Sequence, residues 1–173
     1  MTFAFPLLDQ IRVVLVDMTP GMPPEIWWVT ACVLVILALA ATVDAFTTTI
    51  PDPLIFLGLF AITLMQGLSA SWDVAAHHLT QAIAAGLLIW GVNFAWVKKF
   101  ETDAIGMGDS KWTMLAVACF GITPAVLAWG IGSVLATIFI GLFRLFKVQL
   151  TKVTFSPFLF IGLGVGLFIT RAG

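Results

Sequence analysis

Ile26–Val43 reads IWWVTACVLVILALAATV, an 18-residue stretch without a charge that ends at Asp44. A helix that crosses a bilayer needs about 20 mostly apolar residues, so this stretch predicts a membrane span. Outward from it the same pattern recurs at Pro53–Ala70, Val74–Val97, Trp112–Gly121, Pro124–Phe143 and Phe155–Thr170. The whole chain agrees: of 173 residues 61% are apolar and 10% charged, where soluble domains carry about 25% charged residues. Eight bases and nine acids cannot give a chain of this length a polar skin. The composition excludes an ordinary cytosolic enzyme, a disordered tail and a disulfide scaffold. A net charge of −1 offers no basic face to nucleic acid. Cys32 and Cys119 stand alone in apolar surroundings, without a CxxC, and are expected to be small buried hydrophobes.

The expected fold is all-α, a six-transmembrane-helix bundle over residues 26–173. Residues 1–25 differ. Phe3–Met18 mixes apolar residues with Asp9, Gln10, Arg12 and Asp17, and Pro20, Pro23 and Pro24 then break any helix. This segment predicts an amphipathic helix lying on the membrane surface. The fourth apolar run is short. Counted from Asp109 to Thr123 it has 15 residues, roughly 22 Å of helix. Such a helix fits a bundle when one end stops in a protein-lined, watered cavity. Its polar end is Asp109, so the cavity is expected there.

Six spans place the connecting segments alternately on two sides. The segments around 44–52, 98–111 and 144–154 hold Lys98, Lys99, Lys111, Arg144, Lys147 and Lys152, whereas the opposite side holds Arg12 and Arg171. The positive-inside rule then puts the first set in the cytoplasm and both termini outside. Asp44, Asp52, Asp103 and Asp109 fall on the cytoplasmic face of the inner membrane, and Asp73, His77 and His78 on the other. No internal repeat is evident, so the inverted-repeat pattern of many transporters is not supported.

Charged groups at membrane depth are costly, and each is a functional hypothesis by default. Asp44 ends the first span, and Asp109 follows Gly106-Met107-Gly108 at the start of the short helix. Glycines there permit unusual dihedrals and close approach of a second backbone, such as an extended peptide. Two readings stand side by side: helix caps at the water interface, or a catalytic pair. Two carboxyls within hydrogen-bond reach share a proton and titrate together. The ionised one can take a proton from water while the protonated one donates to a scissile carbonyl, with no metal or cofactor. Neither histidine lies on the aspartates' side, and the chain has no HExxH or cysteine cluster to hold a metal.

Asp44-Ala45-Phe46-Thr47-Thr48-Thr49-Ile50-Pro51-Asp52 resembles the Asp-x5-Ile-Pro-Asn stretch of type IV prepilin peptidases, membrane aspartic proteases of the GxGD class. Gly106-Met107-Gly108-Asp109-Ser110-Lys111 is similar to their GxGDxK signature, and Phe155-Ser156-Pro157-Phe158-Leu159 to the proline-bearing motif that opens their last helix. The three occur in family order and with family-like spacing. The resemblance implies an endopeptidase that cuts the short basic leader from prepilin-like precursors at the cytoplasmic membrane face. Asp44 and Asp109 would be its catalytic pair, with Ile50, Pro51, Asp52, Gly106, Gly108 and Lys111 binding substrate or shaping the site. It further implies the small, peptidase-only branch without methyltransferase activity, like that serving Flp (tight-adherence) pili or archaeal surface filaments. Three departures stand out, one being that the segment 1–25 is longer than in small members of the family. Ala-Phe-Thr-Thr-Thr follows Asp44 where the family is usually rich in Arg and Lys, and Asp52 stands in the place of Asn.

Among the other features, Lys111 suits anchoring or structural support, and Glu101 and Asp103 with Asp52 suit attraction of a basic leader or a merely solvated loop. Asp73 and His77 are spaced to pair on a helix turn. Trp27, Trp28, Trp72, Trp96 and Trp112 lie near span ends and read as interfacial anchors. Gly162, Gly164 and Gly166 allow close helix packing. A rival reading is a small transporter or proton-conducting subunit with Asp44 and Asp109 as relay groups. A third is a degenerate family member kept as an assembly scaffold.

Overall fold

The computed structural model describes residues 27–47, 50–69, 71–101, 105–146 and 153–172. The expected surface helix at 1–25 lies outside them. The described residues form six helices: α1 (Trp27–Thr47), α2 (Asp52–Ser69), α3 (Trp72–Phe100), α4 (Met107–Phe120), α5 (Ile122–Leu145) and α6 (Ser156–Ala172). The boundaries follow local chemistry. Pro53 and Pro157 occupy the second positions of α2 and α6, where a missing N–H costs little. Ser71 caps α3 by accepting a hydrogen bond from the Val74 N–H at 3.2 Å. Glu101 ends the same helix in the left-handed region, at φ 57°. Gly121, at φ 80°, makes the one-residue break between α4 and α5, a conformation that a side chain would strain. Each helix coincides with one expected span, but α1 runs one turn further and takes Asp44 inside its last turn.

The protein is an all-α membrane protein. Thr30–Thr47, Trp72–Phe100 and Ile122–Leu145 are long and apolar enough to cross a membrane, and α2 and α6 are shorter apolar helices. Polarity is turned inside out. Leu39, Phe56, Leu88, Val126, Ile138 and Phe168 face outward, while Thr30, Asp44, Gln66, Asp109, Ser110, Thr113 and Ser156 are buried.

The short helix explains this arrangement. α4 sits at the centre and touches every other helix, and Trp112, Leu115 and Ala116 on it are completely buried. Around it α1 packs on α2 and α6, α2 on α3, and α5 on α6. Glycines bring α5 and α6 closest. A Cβ at Gly162 would lie 2.5 Å from the Ala128 carbonyl oxygen, and one at Gly132 would lie 3.0 Å from that of Phe158. Gly166 meets Leu127 in the same seam, whereas Gly164, expected to share it, faces open space. No comparable contact joins α3 to α5. Between them lies an apolar cavity of about 450 Å³ lined by Leu88, Val92, Ile105, Thr113, Val117 and Trp129 among others.

Two further expectations are corrected. Trp112 is not an interfacial anchor, because its part of α4 is enclosed by the neighbouring helices. Its indole is fully buried and donates to the Leu37 carbonyl at 3.2 Å. Cys119 is buried but Cys32 is exposed, since it lies on the outward face of α1 beside Val35 and Leu39.

Candidate active site

Short connections fold successive helices back on one another, so the end of α1 and the starts of α4 and α6 gather at one end of the bundle. Each contributes one polar side chain to a buried junction. Asp44 in the last turn of α1 is 4% exposed, Asp109 in the first turn of α4 is 6% exposed, and Ser156 at the start of α6 is fully buried. The Ser156 hydroxyl lies 2.6 Å from Asp44 Oδ2 and 2.9 Å from Asp109 Oδ1. Two carboxyl groups from distant parts of the chain are thereby held within two hydrogen bonds of each other.

The glycines before Asp109 make room for this. Their backbones are ordinary: Gly106 is extended, at φ −64° and ψ 142°, and Gly108 is helical. What they provide is space, not unusual dihedrals. A Cβ on Gly108 would collide with Asp44 Oδ1, and one on Gly106 would lie 3.1 Å from Asp109 Oδ2. The close approach made here is that of the Asp44 carboxyl, within the protein itself.

Hydrogen bonds fix α4 on several sides. Besides the Trp112 bond to α1, Ser110 Oγ donates to the Gly86 carbonyl of α3 at 3.2 Å. Thr113 Oγ1 donates to the Asp109 carbonyl at 2.7 Å and accepts from Trp129 Nε1 of α5 at 2.9 Å. Lys111 Nζ donates to the Ile50 carbonyl at 3.0 Å and pairs with Asp52 at the start of α2. Among the described residues no buried side-chain nitrogen or oxygen lacks a partner.

A family model described as the type IV leader peptidase family matches residues 31–146. The chain belongs to the type IV leader peptidase family. It is thus a membrane protease at the level of that family. No match was found among curated proteins or among solved structures.

Of the leader peptidase residues expected at the site, the structure brings Asp44, Asp109, Gly106 and Gly108 together. Ile50, Asp52 and Lys111 form a separate cluster that ties the α1–α2 connection to α4. Pro51 adds a turn there, its carbonyl accepting from the Leu54 N–H at 3.1 Å. Lys111 therefore supports the fold through α2. Asp52 is partly neutralised by it, Glu101 is exposed at the end of α3, and Asp103 lies outside the described residues. His77 pairs forward with Gln81 at 2.9 Å, and His78 Nδ1 lies 3.1 Å from Gln66 Nε2, which also donates to the Ala118 carbonyl at 3.0 Å. Ala118 lies in the last turn of α4, at the opposite end from Asp109. Sequence reasoning missed Ser156 and Thr113. Ser156 stood in the motif at 155–159, one residue before the proline that drew attention. Thr113 gave no signal beyond its place one turn after Asp109.

Proposed function

We propose that this protein is an aspartic endopeptidase that removes the basic leader from prepilin-like precursors, with Asp44 and Asp109 as the catalytic pair. The observation that carries the reading is the meeting of these two buried carboxyls on the one Ser156 hydroxyl. Two carboxyls bridged by one hydroxyl in a buried site disfavour ionising together, and one proton on the pair relieves this. The ionised carboxyl takes a proton from water as the oxygen attacks the scissile carbonyl, and the protonated one donates to the carbonyl oxygen. Collapse of the resulting diol breaks the C–N bond, and the departing nitrogen takes up a proton from the pair. Water is the only nucleophile required, and no methyl transfer is part of this reading.

The arrangement of charge supports a cytoplasmic site in the inner membrane. Lys98, Lys99, Lys111 and Arg144 all lie near the bundle end that holds the aspartates, as the positive-inside rule asks of a cytoplasmic face. Both termini then lie outside. The family match favours peptide hydrolysis over the proton-relay reading.

The test is leader cleavage after co-expression with candidate prepilins, scored as a shift in precursor size. Asp44→Asn and Asp109→Asn should each abolish the shift while the protein still inserts in the membrane and melts cooperatively in detergent. Turnover retained by either variant would remove that residue from the pair.

A further inference from the structure

Ser156 lies beyond the stretch matched by the family model, yet it is the group on which both aspartates converge. A serine hydroxyl carries one hydrogen. It lies within hydrogen-bond distance of two carboxyl oxygens, at 2.6 Å and 2.9 Å, and can donate to one of them. Were both carboxyls ionised, the second contact would set lone pair against lone pair at a buried junction. An unsatisfied buried polar contact is unfavourable, and more so for a charged group. One proton on the pair removes the conflict. The Ser156 O–H then donates to the carboxylate, and Oγ accepts from the carboxyl O–H of the other aspartate. A second proton would also satisfy both contacts, but it would leave no base.

We infer that Ser156 is a positioning residue that holds the Asp44–Asp109 pair singly protonated and aligned, ready for water. The inference rests on the proposed function. The hydroxyl is well placed for such a role. Ser156 opens α6, where the backbone is fixed by bonds from the Phe158 and Leu159 N–H groups to the Phe155 carbonyl at 3.0 Å and 3.1 Å. α6 is in turn seated on α5 by the Gly132 and Gly162 contacts. Three helices thus present three oxygens whose separation is set by packing, with only the proton free to choose its side.

Two measurements test this on the full-length protein in detergent. The first is steady-state cleavage of a synthetic peptide carrying a basic leader and an apolar continuation. Ser156→Ala should lower kcat about 10–100-fold, as misplacement of reacting groups does, with KM within about twofold and a melting temperature near that of the wild type. Ser156→Cys, close in size but a weak donor, should fall between the two. Wild-type kcat in a folded Ser156→Ala, or a rise in KM alone, would overturn the inference. The second measurement is infrared spectroscopy of the carboxylic C=O stretch at neutral pH, readable whether or not Ser156 variants fold. The wild type should show a protonated carboxyl band that disappears in Asp44→Asn or Asp109→Asn and shifts in Ser156→Ala. A wild type without such a band would overturn the inference. Failure of the underlying reading is distinguishable: a wild type that cleaves no leader, or an active Asp44→Asn, sinks the protease assignment, whereas a fully active folded Ser156→Ala sinks the serine's role alone.

Discussion

Gly108→Ala separates the geometry of the aspartate pair from the stability of the fold. The new methyl would sit against Asp44 Oδ1, closer than van der Waals contact allows. Asp44 belongs to the last turn of α1, which is packed on α4 and α6, so its backbone has little freedom to retreat. The carboxyl must turn, and turning it breaks the 2.6 Å contact with Ser156. Two stability terms oppose each other. Alanine is favoured over glycine in a helix by about 1 kcal/mol, and overpacking costs about 1–3 kcal/mol. The net change should stay within about 2 kcal/mol, small enough for the variant to remain folded. Activity has no such compensation. Moving one reacting carboxyl by an ångström costs about 100-fold, or about 2.7 kcal/mol in the barrier. Leader-peptide cleavage and a melting curve in the same detergent give both quantities. Gly130→Ala is the control, since a methyl there meets nothing within 4 Å. A folded Gly108→Ala with kcat within twofold of the control would refute the claim that this glycine exists to admit Asp44.

Other consequences follow from the same contacts. The pH dependence of kcat should be bell-shaped, falling at low pH where both aspartates are protonated and no base remains, and at high pH where both are ionised and no acid remains; a single-limbed profile would count against a shared proton. Trp112→Phe keeps most of the buried ring but removes the donor to the Leu37 carbonyl, and should destabilise by about 1–2 kcal/mol in thermal melts. Gly162→Val pushes two methyls toward the Ala128 carbonyl, a backbone atom that cannot step aside; it should cost about 1–3 kcal/mol and lower activity through Ser156, while Gly164→Ala at an open position should do neither.

The sequence made the helices legible because apolar length is a strong signal, and the lipid-facing surface of five helices answers to it directly. It misjudged positions on α4, because a helix surrounded by protein obeys interior rules even though its composition is that of a span. Trp112 is the clear case: near a span end it reads as an anchor, and only the enclosure of α4 makes it core. Cys32 failed in the opposite sense, since in a membrane protein a small apolar side chain gains nothing by turning inward. Asp44 and Asp109 were legible as costly charges beside apolar runs. Ser156 was not, because a serine before a proline has an ordinary explanation as a helix start, and its second role depends on two partners 112 and 47 residues away. The glycines were noticed for unusual dihedrals and for the close approach of a second backbone, whereas the group they admit is the Asp44 carboxyl. Dihedral permissiveness and the absence of a side chain look identical in sequence, and here the absence of a side chain is what matters.

Seating Asp109 on a central helix, with Asp44 brought to it from α1, resolves a conflict between chemistry and solvent. Carboxyls at membrane depth are expensive against lipid, yet the proposed hydrolysis needs at least one of them ionised. The enclosure of α4 meets the first demand by keeping Asp109, and the Asp44 that meets it, buried among the helices. α4 has 14 residues, about 21 Å of helix, and its first turn meets the last turn of α1 and the start of α6. The junction of α1, α4 and α6 runs through Ser156, and separating α6 from α1 would dismantle the pair. The sparse side is between α3 and α5, where the apolar cavity reaches Thr113, one turn from Asp109, and Ile105, just ahead of Gly106. Ile105 is held there by its N–H donating to Asn93 Oδ1 of α3 at 3.0 Å. A chain approaching from that side would meet the GxGD turn without disturbing the three-helix junction, whereas one wedged between α1 and α6 would destroy the site it was entering.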